Sequence, residues 1–288
     1  MKNLLLAFIA LLSVTINAQK LPVKWEEILA SDWDLVLEKS NQTVIWPMGV
    51  MEKHGPHLPM GSDMIAVREL AVRAANIEYA VVFPDFIYGQ VYEVLNHPGT
   101  ITIPSELLWA LMQSTVDEMA RNGFKRVLIL NGHGGNNNLI RYFVQAQLER
   151  RKDIAVLFHD PRPDPEYQAK IREIRESDPS YDQHAGERET STILYIRPDL
   201  VDLGRASAES GKPQRRLDHL ENLYSGMKWV GNFPNHYAGD GSVATNELGK
   251  FIFDNAVESV VNNLRVLKNE TRIFEVMDEF YDASEKGF

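Results

Sequence analysis

The sequence has 288 residues, of which 44% are hydrophobic, and a formal net charge of −10. This size and apolar content suffice for one α/β domain with a full core, whereas the acidic balance argues against nucleic acid or an anionic membrane surface as partner. The sequence contains no cysteine, which excludes disulfides and thiol chemistry. A small neutral or cationic molecule is the more natural partner.

Residues 1–18 have the pattern of a signal peptide. Lys2 supplies a positive charge, residues 4–14 form an apolar run too short for a membrane-spanning helix, and Ala18 is small, as a cleavage site requires. A retained anchor is the alternative. We expect an exported protein, periplasmic or secreted, whose mature domain covers residues 19–288 and has no membrane contact after cleavage.

The stretch from Glu52 to Asp63 follows a predicted buried strand at 42–49 and concentrates carboxylates and imidazoles in a short segment. In an extended segment Glu52 and His54 point to the same side, while the glycine and prolines that follow exclude a regular helix. Carboxylate oxygen with imidazole nitrogen suits Zn²⁺, Mn²⁺ or Fe²⁺. The stretch therefore predicts a rigid metal-binding loop, with a polar surface loop as the alternative, before a helix at 64–75.

The next elements alternate between strands and helices. Residues 80–84 predict a second buried strand, residues 88–96 a pocket wall, and residues 97–103 a turn followed by a strand. Ser105 can cap a helix from Glu106 to about Asn122, whose apolar residues form one stripe.

A buried strand at 126–130 runs directly into the glycine-rich loop at 131–138, and an amphipathic helix begins near Leu139. This order places functional groups at the carboxyl ends of strands in an open α/β sheet. The glycines around His133 let the backbone approach a ligand closely. The alternative is an anion-binding loop with a bystander histidine, although the loop lacks the lysine of a P-loop.

The remaining chain completes an α/β pattern. Residues 153–159 predict a strand, residues 160–182 a charged loop-like excursion, and residues 192–196 part of a helix that returns to the sheet. Residues 204–230 are polar and loop-rich, and residues 245–267 predict a final amphipathic helix.

Five motifs occur in the order found in the creatininase (creatinine amidohydrolase) family, which the chain resembles over most of the mature protein. They are Glu52-x-His54-Gly55-Pro56-His57-Leu58-Pro59 with Asp63, Pro98-Gly99-Thr100, Asn131-Gly132-His133-Gly134-Gly135-Asn136, His184-Ala185-Gly186-x-x-Glu189-Thr190-Ser191, and Gly239-Asp240 with Ala244-Thr245. The resemblance implies a three-layer α/β/α sandwich with a largely parallel central sheet. It also implies a homo-oligomer, often a hexamer, to which residues 160–182 could contribute.

The resemblance further implies two divalent metal ions. Glu52 and His133 would bind one ion, His54 would bind the other, and Asp63 would bridge them. Zn²⁺ is the first expectation, with Mn²⁺ or Fe²⁺ as alternatives.

The family's glutamate two residues after the loop histidine is Gly135 here. Glu189 is the best replacement as a ligand and is also a candidate catalytic residue, with Glu187 as the next choice.

Other histidines receive roles from the same resemblance. His184 aligns with the family histidine that carries a proton to the leaving nitrogen, which suits an imidazole. His57 is expected to hydrogen-bond a ligand or the backbone, and His97 and His236 could line the pocket. The family tyrosine in the glycine loop is Gly134 here, so we expect a wider pocket, and creatinine need not be the substrate.

The expected function is that of a metal-dependent amidohydrolase that cleaves a non-peptide C–N bond, such as that of a cyclic amide, through a metal-bridging hydroxide. One alternative is a formamide deformylase-like or peptide-cleaving member of the same fold. Another is an exported protein that binds a small solute or a metal without catalysis.

Overall fold

The structure is a computed structural model that describes residues 21–162 and 164–286. The predicted signal peptide lies outside the described residues. The strands are β1 (Thr43–Met48), β2 (Val81–Val82), β3 (Arg126–Asn131) and β4 (Ala155–Phe158). The α-helices of the described part are α1 (Trp33–Lys39), α2 (Ser62–Ile77), α3 (Ser105–Arg121), α4 (Asn137–Ala146), α5 (Pro165–Ile174), α6 (Glu187–Ile196), α7 (Met227–Asn232), α8 (Asn246–Asn269) and α9 (Arg272–Glu285). Within the described residues, no helix is both long and apolar enough to cross a bilayer.

The four strands form one parallel sheet in the order β2-β1-β3-β4. Every residue of β1 is buried, as expected for a parallel strand covered on both faces by helices. The long apolar runs that predicted β1 and β3 therefore reflect burial on both sides. The predicted parallel α/β sheet is confirmed.

Side chains alternate between two hydrophobic cores, one on each face of the sheet. Val44 and Trp46 pack with residues of α1, α3 and α4, whereas Ile45 packs on the opposite face with α2 and α8. Helices thus cover both faces of the sheet, which confirms the three-layer sandwich.

The carboxyl ends of β1 and β3 lie side by side. Met48 pairs with Asn131 in the parallel register, and the backbone N–H of Gly132 donates to the carbonyl oxygen of Met48 at 2.8 Å. A Cβ at Gly132 would overlap the carbonyl oxygen of Asp63. Only glycine permits this close approach, which brings the loop after β3 against the start of α2.

Some predicted elements differ in the structure. The strand predicted within 97–103 is wrong: this segment is irregular, and the N–H of Ile101 donates to the carbonyl oxygen of Met51 at 3.1 Å. Its backbone thus bonds to the loop after β1 and does not extend the sheet. The predicted cap at Ser105 is also wrong, because α3 begins at Ser105 and the residue before it is Pro104.

Four helices of the described residues were not predicted from the sequence: α1, α5, α7 and α9. α5 lies inside the segment expected to be loop-like, and the side chain of Asp164 caps it by accepting from the N–H groups of Glu166 and Tyr167. α9 follows the helix expected to be the last. It contributes a single buried residue, Tyr281, whose hydroxyl donates to carbonyl oxygens near the end of α4.

Candidate metal centre

Buried acids and imidazoles from four parts of the chain converge at the carboxyl ends of β1 and β3. Two groups each place one ligand-capable atom per residue within 4.8 Å of the others. The first group is Glu52, Asp63 and His133, and the second is Glu52, His54 and His184. All five residues are buried. The structure thus brings together the residues that the sequence singled out.

Asp63, at the start of α2, lies between two imidazoles. Its Oδ1 is 3.0 Å from Nε2 of His54, and its Oδ2 is 3.2 Å from Nδ1 of His133. Each carboxylate oxygen therefore faces a different histidine. This is the arrangement expected of a bridging ligand.

Glu52 is fully buried and belongs to both groups. Its Oε1 lies 2.8 Å from Nδ1 of His133 and 4.0 Å from Nδ1 of His184. Its Oε2 accepts a hydrogen bond from Nε2 of His236 at 2.6 Å. One oxygen thus faces the imidazoles of the two groups while the other is held by a further histidine.

The two candidate acids on α6 have different positions. Oε2 of Glu189 is 3.9 Å from Nε2 of His54 and 3.8 Å from Nδ1 of His184, so this acid borders the site as predicted. Glu187 instead accepts hydrogen bonds from the backbone N–H groups of Glu176 and Ser177, at 2.8 and 2.7 Å. Glu187 therefore anchors the chain after α5 and takes no part in the site.

The position of the missing family glutamate has no room for a side chain. A Cβ at Gly135 would overlap the ring of His133 and would lie 2.7 Å from Oε1 of Gln90. The adjacent Gly134 has no atom within 4 Å of a Cβ and faces open space.

Backbone carbonyl groups orient the three histidines of the two groups. A carbonyl oxygen can only accept, so the ring nitrogen facing it carries the proton and the other nitrogen of the neutral ring has a free lone pair. That second nitrogen points toward the acids in each case. The three bonds are His54 Nδ1 to Glu52 O at 3.2 Å, His133 Nε2 to Gln90 O at 2.8 Å, and His184 Nε2 to Lys53 O at 2.8 Å.

The surroundings of two carboxylate oxygens indicate that the site fits metal ions. Oε1 of Glu52 and Oδ2 of Asp63 are buried and accept no hydrogen bond of regular geometry from any described residue, although Nδ1 of His133 lies 2.8 and 3.2 Å from them. Buried carboxylate oxygens without donors are unfavourable, and a divalent cation held between them and the free imidazole nitrogens would remove that cost. The donor set of oxygen and nitrogen without thiolate fits Zn²⁺, Mn²⁺ or Fe²⁺.

Charge interactions in the site outweigh burial. Burial alone would raise the pKa of Glu52, but the imidazoles of His184 and His133 hold it well below its ordinary value. Burial alone would lower the pKa of His54, but the charge and hydrogen bond of Asp63 raise it to about 10. Without a cation, His54 and His133, whose pKa values are both raised, therefore neutralise the acids by holding protons. Metal binding would displace those protons.

The role of His236 was not predicted beyond pocket lining. Its Nε2 donates to Glu52, and its Nδ1 accepts a hydrogen bond from Nε1 of Trp229 at 2.8 Å. His236 also has a left-handed backbone conformation, with φ of 54°, a strain that typically persists only where surrounding contacts hold it. No local sequence pattern predicts the hydrogen bond between His236 and Glu52, because the two residues lie 184 positions apart in the sequence.

The two other expected histidines lie near the site without joining either group. Nε2 of His57 is 2.8 Å from the hydroxyl of Thr190, which donates to the carbonyl oxygen of Ala185. His57 thus ties the loop after β1 to α6. His97 donates to the carbonyl oxygen of Pro234 at 3.1 Å and lies beside His236.

A cavity of about 230 Å³, here called the α6 cavity, opens beside the acids between α2, α6 and α8. Its wall includes His54, Asp63, Arg188, Glu189 and Ile252. The side chain of Glu189 is 40% exposed. A small molecule can therefore reach this carboxylate from the cavity.

Comparisons with known proteins agree with this geometry. The chain is 29% identical over 194 residues to a creatinine amidohydrolase from Pseudomonas putida, an alignment that covers 62% of this chain and 74% of the relative. It is 28% identical over 231 residues to a mycofactocin precursor peptide peptidase from Mycobacterium ulcerans, covering 77% and 84% of the two chains.

A solved structure of creatinine amidohydrolase (creatininase) has the same fold, with a TM-score of 0.73 at 23% identity, and the match covers 87% of this chain and 99% of that one. Other similar creatininase structures are a manganese form and a zinc form. A sequence model of the creatinine amidohydrolase family matches residues 30–264. With the motifs, the fold and the acid–imidazole cluster in place, the chain belongs to the creatininase family.

Proposed function

We propose that the protein is a metal-dependent amidohydrolase that cleaves a C–N bond other than a peptide bond in a small amide, such as a cyclic amide. One observation carries the proposal: two overlapping groups of buried acid and imidazole atoms, with two carboxylate oxygens that accept no hydrogen bond of regular geometry from the described residues. Membership of a family of hydrolases supports it.

The residues would hold two divalent ions. Glu52, Asp63 and His133 would bind one. His54 and His184 with Glu52 would bind the other, with Asp63 between the two sites and Glu189 close by. Bound ions would polarise the amide carbonyl and lower the pKa of a water molecule toward neutrality. Zinc and manganese are the metals to test first, because similar creatininase structures occur in both forms.

Glu189 is the residue best suited to move a proton. In the metal-free protein, partial burial and, secondarily, the nearby Asp63 carboxylate raise the pKa of Glu189 to about 7, although the charge of His54 opposes this. A group with a pKa near neutrality can both accept and donate a proton at pH 7. Since Glu189 is exposed to the α6 cavity, we assign it the proton transfer to the leaving nitrogen.

His184 is better suited to bind metal than to carry a proton. Its Nε2 donates to the carbonyl oxygen of Lys53, which leaves Nδ1 for the site. Burial and then the charge of His54 lower the pKa of His184 well below its ordinary value. The ring is therefore neutral, with a free lone pair at Nδ1. The proton transfer expected of His184 passes to Glu189 in this proposal.

A second candidate is hydrolysis of a formamide or of a peptide. The open space beside Gly134 favours it, because a larger substrate could approach the centre over this residue. Relatives of the chain include a peptidase and a deformylase.

The test combines metal analysis with an activity screen. Protein purified without chelator should contain bound zinc, manganese or iron and should hydrolyse a member of a panel of lactams, creatinine, formamides and short peptides. Asp63→Ala should lose both metal and activity, while Asp34→Ala, which changes an exposed acid on α1, should lose neither. Full turnover by metal-free Asp63→Ala protein would refute the proposal.

A further inference from the structure

Arg188 is an unpaired cation on the wall of the α6 cavity. It directly precedes Glu189 on α6, so the cavity contains both an acid of the candidate metal centre and a guanidinium group. Among the described residues, no other arginine or lysine lines this cavity. Its volume of about 230 Å³ suits a small molecule or one end of a longer molecule.

The side chain of Arg188 has no hydrogen-bond or ion-pair partner among the described residues. Its Nε is buried and unpaired. The two terminal nitrogens also make no hydrogen bond to the described residues, but unlike Nε they are accessible to a ligand. A buried donor without an acceptor is unfavourable, and a ligand that accepted from the guanidinium would remove that cost.

The neighbouring acid does not fill this role. Asp182 also lines the cavity and interacts electrostatically with Arg188. Its Oδ2, however, accepts a hydrogen bond from Nη2 of Arg175 at 2.8 Å, and both of those side chains are almost fully buried. Arg175, which also lies 3.9 Å from Glu187, is therefore the arginine that hydrogen-bonds Asp182, and the guanidinium of Arg188 keeps its hydrogen-bonding capacity for a ligand.

We propose that Arg188 binds a carboxylate group of the substrate, so that the substrates are small amides carrying a carboxylate, such as N-acyl amino acids or lactam acids. This inference rests on the proposed function. The planar guanidinium matches a carboxylate through two parallel hydrogen bonds. With the substrate carboxylate against Arg188, the amide would face Asp63 and Glu189, which line the same cavity.

The experiment compares matched pairs of ligands that differ in this one group. The pairs are pyroglutamate with pyroglutamamide and N-formylglycine with N-formylglycinamide. Dissociation constants are measured by calorimetry on the metal-loaded protein, and hydrolysis is followed in parallel. We expect the carboxylate member of a pair to bind about 10- to 100-fold more tightly, as a charge-assisted hydrogen-bonded pair implies.

The variants separate binding by Arg188 from a general effect of charge or folding. Arg188→Gln should abolish the preference for the carboxylate, and Arg188→Lys should keep part of it. Arg197→Gln, which changes an exposed arginine paired with Asp199 after the end of α6, should keep all of it. Metal content and melting temperature check that each variant is folded. If Arg188→Gln does not fold, the inference is tested by the binding preference of the wild-type protein and by the reduction of that preference in Arg188→Lys.

Equal binding of the two members of each pair, an unchanged preference in Arg188→Gln, or failure of every carboxylate to bind would overturn the inference. Failure of the proposed function gives a different result. In that case no amide is hydrolysed by any variant, while the binding preference and its dependence on Arg188 are still measured.

Discussion

Replacement of His236 by phenylalanine should weaken metal binding although His236 belongs to neither ligand group. Its Nε2 donates to Oε2 of Glu52 at 2.6 Å, and both side chains are buried. Phenylalanine fills a similar volume but provides no donor. Oε2 of Glu52 would then be a buried, unpaired carboxylate oxygen, and the carboxylate would be free to rotate away from both groups.

The size of the effect follows from the bond that is lost. A hydrogen bond to a charged group contributes about 1.5–3 kcal/mol, which corresponds to about 10- to 100-fold in a dissociation constant. Loss of a residue that orients a metal ligand commonly costs about the same factor. Because Glu52 belongs to both groups, we expect both ions to be weakened.

Competition with a chromogenic chelator measures the affinity for Zn²⁺ or Mn²⁺. His97→Phe is the matched control, since His97 lies beside His236 but donates to the carbonyl oxygen of Pro234. Trp229→Phe, which removes the N–H that orients His236 together with part of the ring beside it, should have a smaller effect. An affinity of His236→Phe equal to that of His97→Phe would show that the bond to Glu52 does not position the ligand.

Further predictions concern the glycine contacts, the metal, pH and the core. Gly132→Ala should destabilise the fold and lower the metal content, because its Cβ would overlap the carbonyl oxygen of Asp63. Gly134→Ala should change neither, because nothing lies within 4 Å of its Cβ. Equal melting temperatures of the two variants would contradict this prediction. Dialysis against a chelator should lower the melting temperature and added Zn²⁺ or Mn²⁺ should restore it, since ions that bind only the folded state stabilise it; an unchanged melting temperature would argue against a folded-state site. Burial and then the charge of His54 lower the pKa of His57 from 6.5 to about 4, so the unfolded state binds this proton more readily and the wild type loses stability as pH falls through that window. His57→Gln should lose less stability in urea unfolding between pH 7 and pH 5, and an equal loss would refute the assignment. Leu264→Ala, at a fully buried position of α8, should cost about 2–5 kcal/mol of unfolding free energy, and a cost below about 1 kcal/mol would show that this core collapses to fill the space.

The parts predicted correctly from the sequence depend on local patterns. β1 and β3 are continuous apolar runs, which predict burial on both faces, and α2 and α8 have apolar residues at helical spacing, which predict burial on one face. The motifs at Glu52 and His133 directly follow these strands. Because parallel strands end at the same edge of the sheet, the sequence already implied that the two motifs meet.

Other features depend on contacts between residues distant in the chain. The irregular path of residues 97–103 follows from its hydrogen bond to Met51, and an alternating pattern carries no information about such a partner. α9 fully buries only Tyr281, but Ile273, Phe274, Met277 and Tyr281 recur at helical spacing, so this helix could have been predicted from the sequence. The structure also shows that the carbonyl oxygen of Gln90 orients His133.

The sequence by itself determined the fold class and the residues at the centre of the candidate metal site, since strand burial and motif spacing are properties of short segments. Only the tertiary structure decided between Glu187 and Glu189, which are two residues apart on α6 and therefore point in different directions. Packing turns Glu189 toward His54 and Glu187 toward the backbone after α5. The contact between His236 and Glu52 likewise exists only because the fold brings two distant loops together around a buried charge.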